Sequence, residues 1–181
     1  LLQVLCLIRI VKNRKNYSKL MSIRLAKSKD KALIISMVNE VYYSSEREFW
    51  SEGYFRIADK DFDKYLRNKW LYVLEEDKAV LGCVLFKQEA KDISSFSMLV
   101  CHPNHRKKGV GKTLVSFVNE EAIARNNKKM YLELLSPKGW VHEEKKFLKD
   151  WYIKMGYKLK KEVDFKDYHP DHAPFMKCDL I

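Results

Sequence analysis

Val100-Cys101-His102-Pro103-Asn104-His105-Arg106-Lys107-Lys108-Gly109-Val110-Gly111-Lys112 is the stretch whose reading decides the fold. Apolar residues ending at Val100 close a strand, a short polar turn follows, and glycines 109 and 111 open a helix. Amides in the first turn of a helix have no partner in the helix and carry the positive end of its dipole. Glycines let a bulky anion reach those amides, and Arg106, Lys107, Lys108 and Lys112 add positive charge at the same place. The arrangement suits a diphosphate. It is not a P-loop, because position 106 is Arg where the first glycine of GxxxxGK[ST] would fall. Nor is it a dinucleotide fingerprint, because position 114 is Leu.

Outward from this turn, the pattern predicts a strand over Ser94–Val100, a helix over Gly111–Arg125 and a strand over Lys129–Leu135, a βαβ unit with parallel strands. Upstream it predicts a strand over Ser22–Ala26 and a helix over Lys31–Tyr43 capped by Asp30. A short helix near Asp61–Asn68 follows, then a hairpin of Trp70–Glu75 and Ala79–Lys87 around Glu76-Asp77-Lys78. Residues 44–58 show no clean period. Downstream, a helix over Glu143–Met155 is expected to bury Phe147, Leu148, Trp151, Tyr152 and Met155 and to stop at Gly156. Strands near Tyr157–Val163 and Phe175–Leu180 complete a single α/β domain with a mixed sheet.

With 181 residues, 46% hydrophobic and 33% charged, the chain is long enough for one domain with a substantial core. The net charge of +11 suggests nucleic acid until it is divided. Residues 1–20 hold Arg9, Lys12, Arg14, Lys15 and Lys19 and no acid, so nearly half of it sits there. Met21-Ser22-Ile23-Arg24 reads as a natural start, which makes 1–20 a basic extension, native or not, ahead of a domain over 21–181. Its apolar stretch Leu1–Val11 is too short to span a bilayer, and its charges follow the apolar run where a signal peptide has them first. Cys6, Cys83, Cys101 and Cys178 lie far apart, as in a reduced protein of the cytoplasm or nucleus. The pairs His102/His105 and His169/His172 lack the further ligands of a zinc set, so no metal is expected.

The residues quoted resemble the GCN5-related N-acetyltransferase (GNAT) superfamily. Arg106-Lys107-Lys108-Gly109-Val110-Gly111 is similar to its [QR]xxGx[GA] motif, and Met98-Leu99-Val100 with Pro103 to the strand before it. Trp151-Tyr152-Ile153-Lys154-Met155-Gly156-Tyr157 resembles its [FW]YxKxG[FY] segment. The likeness implies a GNAT-like fold with a splayed parallel strand pair, acetyl-CoA as co-substrate and transfer to a primary amine of a small molecule, peptide or protein. An acyl-CoA-binding module without turnover is the other reading.

By that resemblance, the backbone of Arg106, Lys107, Lys108, Gly109, Val110 and Gly111, with Lys112, holds the diphosphate, and main-chain groups of Leu99 and Val100 meet the pantetheine arm. Tyr152 is the implied general acid. Many relatives carry a Glu about six residues before Val100; here Ser94 and Ser95 stand instead. The base is therefore open among Glu133, Glu46, Glu40 and His142, or water. Asn39, Tyr42, Tyr43 and Trp140 fall where relatives shape the acceptor pocket. The partners implied are acetyl-CoA and an amine, with no nucleic acid or stable membrane association, as a monomer or homodimer.

Overall fold

A computed structural model describes residues 9–10, 21–50, 53–164 and 176–180. Of the extension only Arg9–Ile10 (β1) is described, antiparallel to β2 (Met21–Leu25). The His169/His172 pair and Phe175 lie outside the described residues. From β2 the chain passes through α1 (Lys31–Glu46) and α2 (Asp59–Arg67) to the antiparallel run β3 (Leu71–Glu76), β4 (Ala79–Ala90) and β5 (Ile93–Cys101). Then come α3 (Val110–Ala124), β6 (Lys129–Tyr131), β7 (Glu133–Pro137), α4 (Glu143–Lys154), β8 (Lys161–Asp164) and β9 (Met176–Leu180). β1 to β6 form one sheet in sequence order; β7, β9 and β8 form a second.

The sheet is covered on both faces. Ile34, Met37 and Val38 of α1 and Phe62 of α2 pack with Val73, Cys83, Leu85, Met98 and Val100 on one side. Leu114, Val115 and Val118 of α3 and Tyr152 of α4 pack with Leu74, Val84, Phe86 and Phe96 on the other. Phe96 and Met98 thus face opposite ways although two residues apart. The cause is a β-bulge: Cys83 pairs with Val100 but Leu85 with Ser97, and Met98 takes a left-handed φ of 48°.

As expected, β5 and β6 are parallel, through Ile93–Lys129, Ser94–Met130 and Ser95–Tyr131. There the pairing stops. The strand predicted over 129–135 is broken at Leu132, and its second half, β7, turns away to pair with β9. A gap opens between β5 beyond Ser95 and β7.

Four further expectations are corrected. Phe147 faces solvent, 66% exposed, while α4 buries Lys145 and Tyr152, with Leu148, Trp151 and Met155 partly covered. Asp30 stands at the N-terminus of α1 but does not cap it, since its carboxylate is drawn back to Lys27 N at 2.8 Å and to Arg24. The strand expected from Tyr157 begins only at Lys161, because the Gly156 cap (φ 99°) turns Tyr157 inward, where its hydroxyl donates to Asn119 Oδ1 at 2.7 Å. The helix expected to begin at Gly111 starts at Val110, with Gly109 as its left-handed N-cap.

Candidate active site

The turn after β5 places the sequence-identified residues at the open end of the gap. A 3₁₀ turn over Pro103–His105 leads into Arg106, Lys107 and Lys108, all exposed. Lys107 (φ 61°) and Gly109 (φ 82°) are left-handed, separated by residues of ordinary handedness. That alternation curls successive amides toward one concave side. The first helical hydrogen bond of α3 runs from Thr113 N to Gly109 O at 2.9 Å, so the amides of Val110, Gly111 and Lys112 find no helical carbonyl. A Cβ on Gly109 would meet nothing within 4 Å, whereas one on Gly111 would touch Cys101 Sγ at 3.5 Å and Trp151 at 3.6 Å. The cradle is open, and its floor rests on α4.

Leu99 and Val100 line the gap just before this turn; Val100 faces the α1 core and Leu99 the α3 core, as the bulge dictates. Tyr152 comes to the gap from α4, ringed by Phe96, Trp151 and Tyr157 at centroid distances of 5.9, 4.9 and 5.9 Å. Its hydroxyl makes no hydrogen bond among the described residues. Burial raises its pKa far above the ordinary phenol value, and the neighbouring Tyr42, Tyr157 and Cys101 push the same way. Tyr42 belongs to the opposite, α1 face. Its charge nonetheless reaches Tyr152 from that side of the sheet.

The remaining candidates divide by role. Asn39 clamps the backbone of Ile57, donating to its carbonyl at 2.9 Å and accepting from its amide at 3.0 Å. Tyr43 faces solvent, 62% exposed. Trp140, half-exposed, packs on Phe49 and on His142, whose Nδ1 accepts the Lys145 amide and caps α4. Glu40 and Glu133 are exposed. Glu46 is buried, bonded to Lys145 Nζ and accepting from Trp50 Nε1 at 2.9 Å, a link from the end of α1 to the start of α4. A cleft of about 310 Å³ opens above that link, between Ser44 and Arg47 on one side and Trp140–Glu144 on the other.

Glu89, Lys145 and Arg56 escaped the sequence reading. The Glu89 carboxylate on β4 accepts from Ser95, beside Ser94, whose buried Oγ has no partner among the described residues. Lys145 lies inside α4's apolar face. Arg56 sits with its guanidinium over the Tyr42 ring, 4.9 Å from the centroid. The aperiodic 44–58 stretch gave no signal for Arg56.

Residues 67–159 match the family described as the acetyltransferase (GNAT) domain, just over half of the chain, and the chain belongs to that family. It is, by that membership, an acyltransferase. Solved structures share the fold at low identity. N-acetylglutamate synthase from Neisseria gonorrhoeae, complexed with coenzyme A and N-acetyl-glutamate, is 17% identical over 88% of this chain with a TM-score of 0.63. This chain spans only 34% of that one. The yncA protein of Salmonella typhimurium, solved with its cofactor acetyl-CoA, is 17% identical over 88% of this chain and 91% of its own, TM-score 0.64. Ribosomal-protein-alanine N-acetyltransferase from Brucella melitensis is 15% identical over 87% and 96%, TM-score 0.65. No curated protein sequence matches the chain. Among the described residues no helix is long and apolar enough to cross a membrane.

Proposed function

We propose that the chain transfers an acetyl group from acetyl-CoA directly to a primary amine. The observation that carries this reading is the gap: β5 loses its parallel partner after Ser95, and the strand then runs straight into the amide-rich cradle. The residues present suit the co-substrate, since an open concave turn with spare amides and four exposed cations fits a diphosphate.

Acetyl-CoA, when bound, supplies an activated thioester. Val110, Gly111 and Lys112 amides, with the Arg106, Lys107, Lys108 and Lys112 side chains, hold and neutralise the diphosphate. Main-chain groups of Leu99 and Val100 take up the amides of the arm as a further strand would. Tyr152 Oη, kept protonated by its buried surroundings across the working pH range, holds the proton that a leaving sulfur requires. On the amine side, Glu46 is committed to Lys145 and Trp50, His142 Nδ1 caps α4 by accepting the Lys145 amide, and Glu40 and Glu133 face solvent. We therefore assign attack to the neutral fraction of the amine, with water carrying its proton away.

The test is a titration of Gly111→Glu beside the wild type with acetyl-CoA, by calorimetry. The added carboxylate should abolish measurable binding while the circular dichroism spectrum stays native. Undiminished affinity in the folded variant would overturn the cradle assignment. Binding by the wild type with no thiol released for any amine would favour the module without turnover, the reading that Ser94 in place of a carboxylate supports.

A further inference from the structure

Arg56 is held firmly in place, and no carboxylate among the described residues bonds it. Asn39 holds Ile57 by both backbone groups, which fixes the segment that carries Arg56 across 18 positions of chain. The guanidinium lies over Tyr42 and reaches the hydroxyl of Tyr54, which itself stacks on Trp50 at 4.2 Å and 9°. Its Nε is shut off from solvent and donates to nothing among the described residues. The acid whose charge reaches it, Glu46, has one carboxylate oxygen on Lys145 and the other on Trp50. A part-buried guanidinium that meets tyrosine rings and hydroxyls but bonds no carboxylate among the described residues is a cost to folding that those contacts offset only in part. Such a group is retained where something else brings the anion.

Its position says what that is. Tyr42, beneath Arg56, packs on the cluster that holds Met98 and Val100 of β5, and its charge reaches Tyr152. Resting on the acetyltransferase reading, we propose that the acceptor amine carries an anionic group, a carboxylate or a phosphate, which docks on the Arg56 guanidinium beside Tyr42. With Nε closed to solvent, the two terminal guanidinium nitrogens, beside the aromatic walls of Tyr42, Tyr54 and Trp50, are the edge that takes a two-oxygen anion in a fork. Amines that carry only further positive charge are disfavoured at the same point.

The experiment pairs acceptors that differ in the anion alone: α-amino acids against their amides, and 2-aminoethyl phosphate against ethanolamine, with free thiol as the readout. Wild type should prefer the anionic member of one set by about tenfold or more in kcat/KM. In Arg56→Gln that ratio should fall toward one, chiefly through KM, with the neutral amines losing far less. Which set shows the preference separates carboxylate from phosphate. Equal rates within every pair, or a preference that survives in Arg56→Gln, would overturn the proposal while leaving acetyl transfer standing. If no amine is acetylated, calorimetry on the CoA-loaded protein decides: N-acetylglycine should bind at least about tenfold tighter than N-acetylglycinamide, and lose that margin in Arg56→Gln. Equal binding overturns the proposal; failure to bind CoA overturns the acetyltransferase reading instead. The melting temperature of Arg56→Gln should be unchanged or higher, and a marked fall would mean that the arginine serves the fold.

Discussion

Tyr152 is a phenol enclosed by Phe96, Trp151 and Tyr157, with a hydroxyl that makes no hydrogen bond among the described residues. Burial is the chief reason for its high pKa, so it stays a donor at any pH where the fold survives. Tyr152→Phe keeps the ring packing and removes only the proton. We expect kcat to fall by about a hundredfold or more with acetyl-CoA affinity essentially unchanged, measured as thiol release against calorimetric binding. A normal rate would remove the donor role. Tyr152 was singled out in the sequence through the resemblance of Trp151–Tyr157 to the family's segment, on a helix whose period shows. Arg56 was not, because its placement depends on Asn39 reaching Ile57, a contact that leaves no periodic mark in residues 44–58.

At the scale of elements, β5 carries the site by being irregular. The pattern Phe96, Met98, Val100 reads as one apolar face, and only the bulge at Met98 divides those residues between two cores. The same bulge is invisible to alternation counts, as is the break at Leu132, since Lys129–Leu135 is uninterrupted in strand-forming character. Phe147 was misread and Lys145 overlooked for a related reason: α4 packs by what Glu46 and Phe49 present to it, and a buried ion pair outranks the hydrophobic rule at that turn. The close approach of β4, β5 and α3 is set by Gly82, where a Cβ would fall 2.5 Å from Val100 O and 2.8 Å from Val110 Cγ1. Because the first of these is backbone, relief requires moving β5 and the start of α3. Gly82→Ala should destabilise by about 1–3 kcal/mol in urea unfolding and weaken acetyl-CoA binding with it.

For the molecule as a whole, the helix order, the parallel pair and the single domain were set by local periods and turn residues, and so could be read directly. The division into two sheets could not, because it depends on β9 pairing with β7 from 39 to 47 residues away. One part-buried cluster ties β2 to β3: Arg24 bonds Asp30 at 2.7 Å and Glu75 at 2.5 Å. Burial alone would raise the Asp30 pKa, but hydrogen bonds from Arg24 and the Lys27 amide, with the Arg24 charge, hold it below the ordinary value. A carboxylate depressed in the fold contributes stability above its unfolded pKa of about 3.9, and that stability is lost as pH falls through the folded value. Denaturant unfolding across pH should therefore steepen below about pH 4 in the wild type. Asp30→Ala, less stable at neutral pH by about 3 kcal/mol, should show a shallower acid limb.

The unfinished ladder on the flank of β5 bears on how such a protein can change over time. What it offers an incoming arm is main chain, and main chain is the same whatever side chains it carries. Residues along that flank are thus at liberty to drift as long as the strand keeps its course. That is one physical reason why a fold can be shared at 15–17% identity.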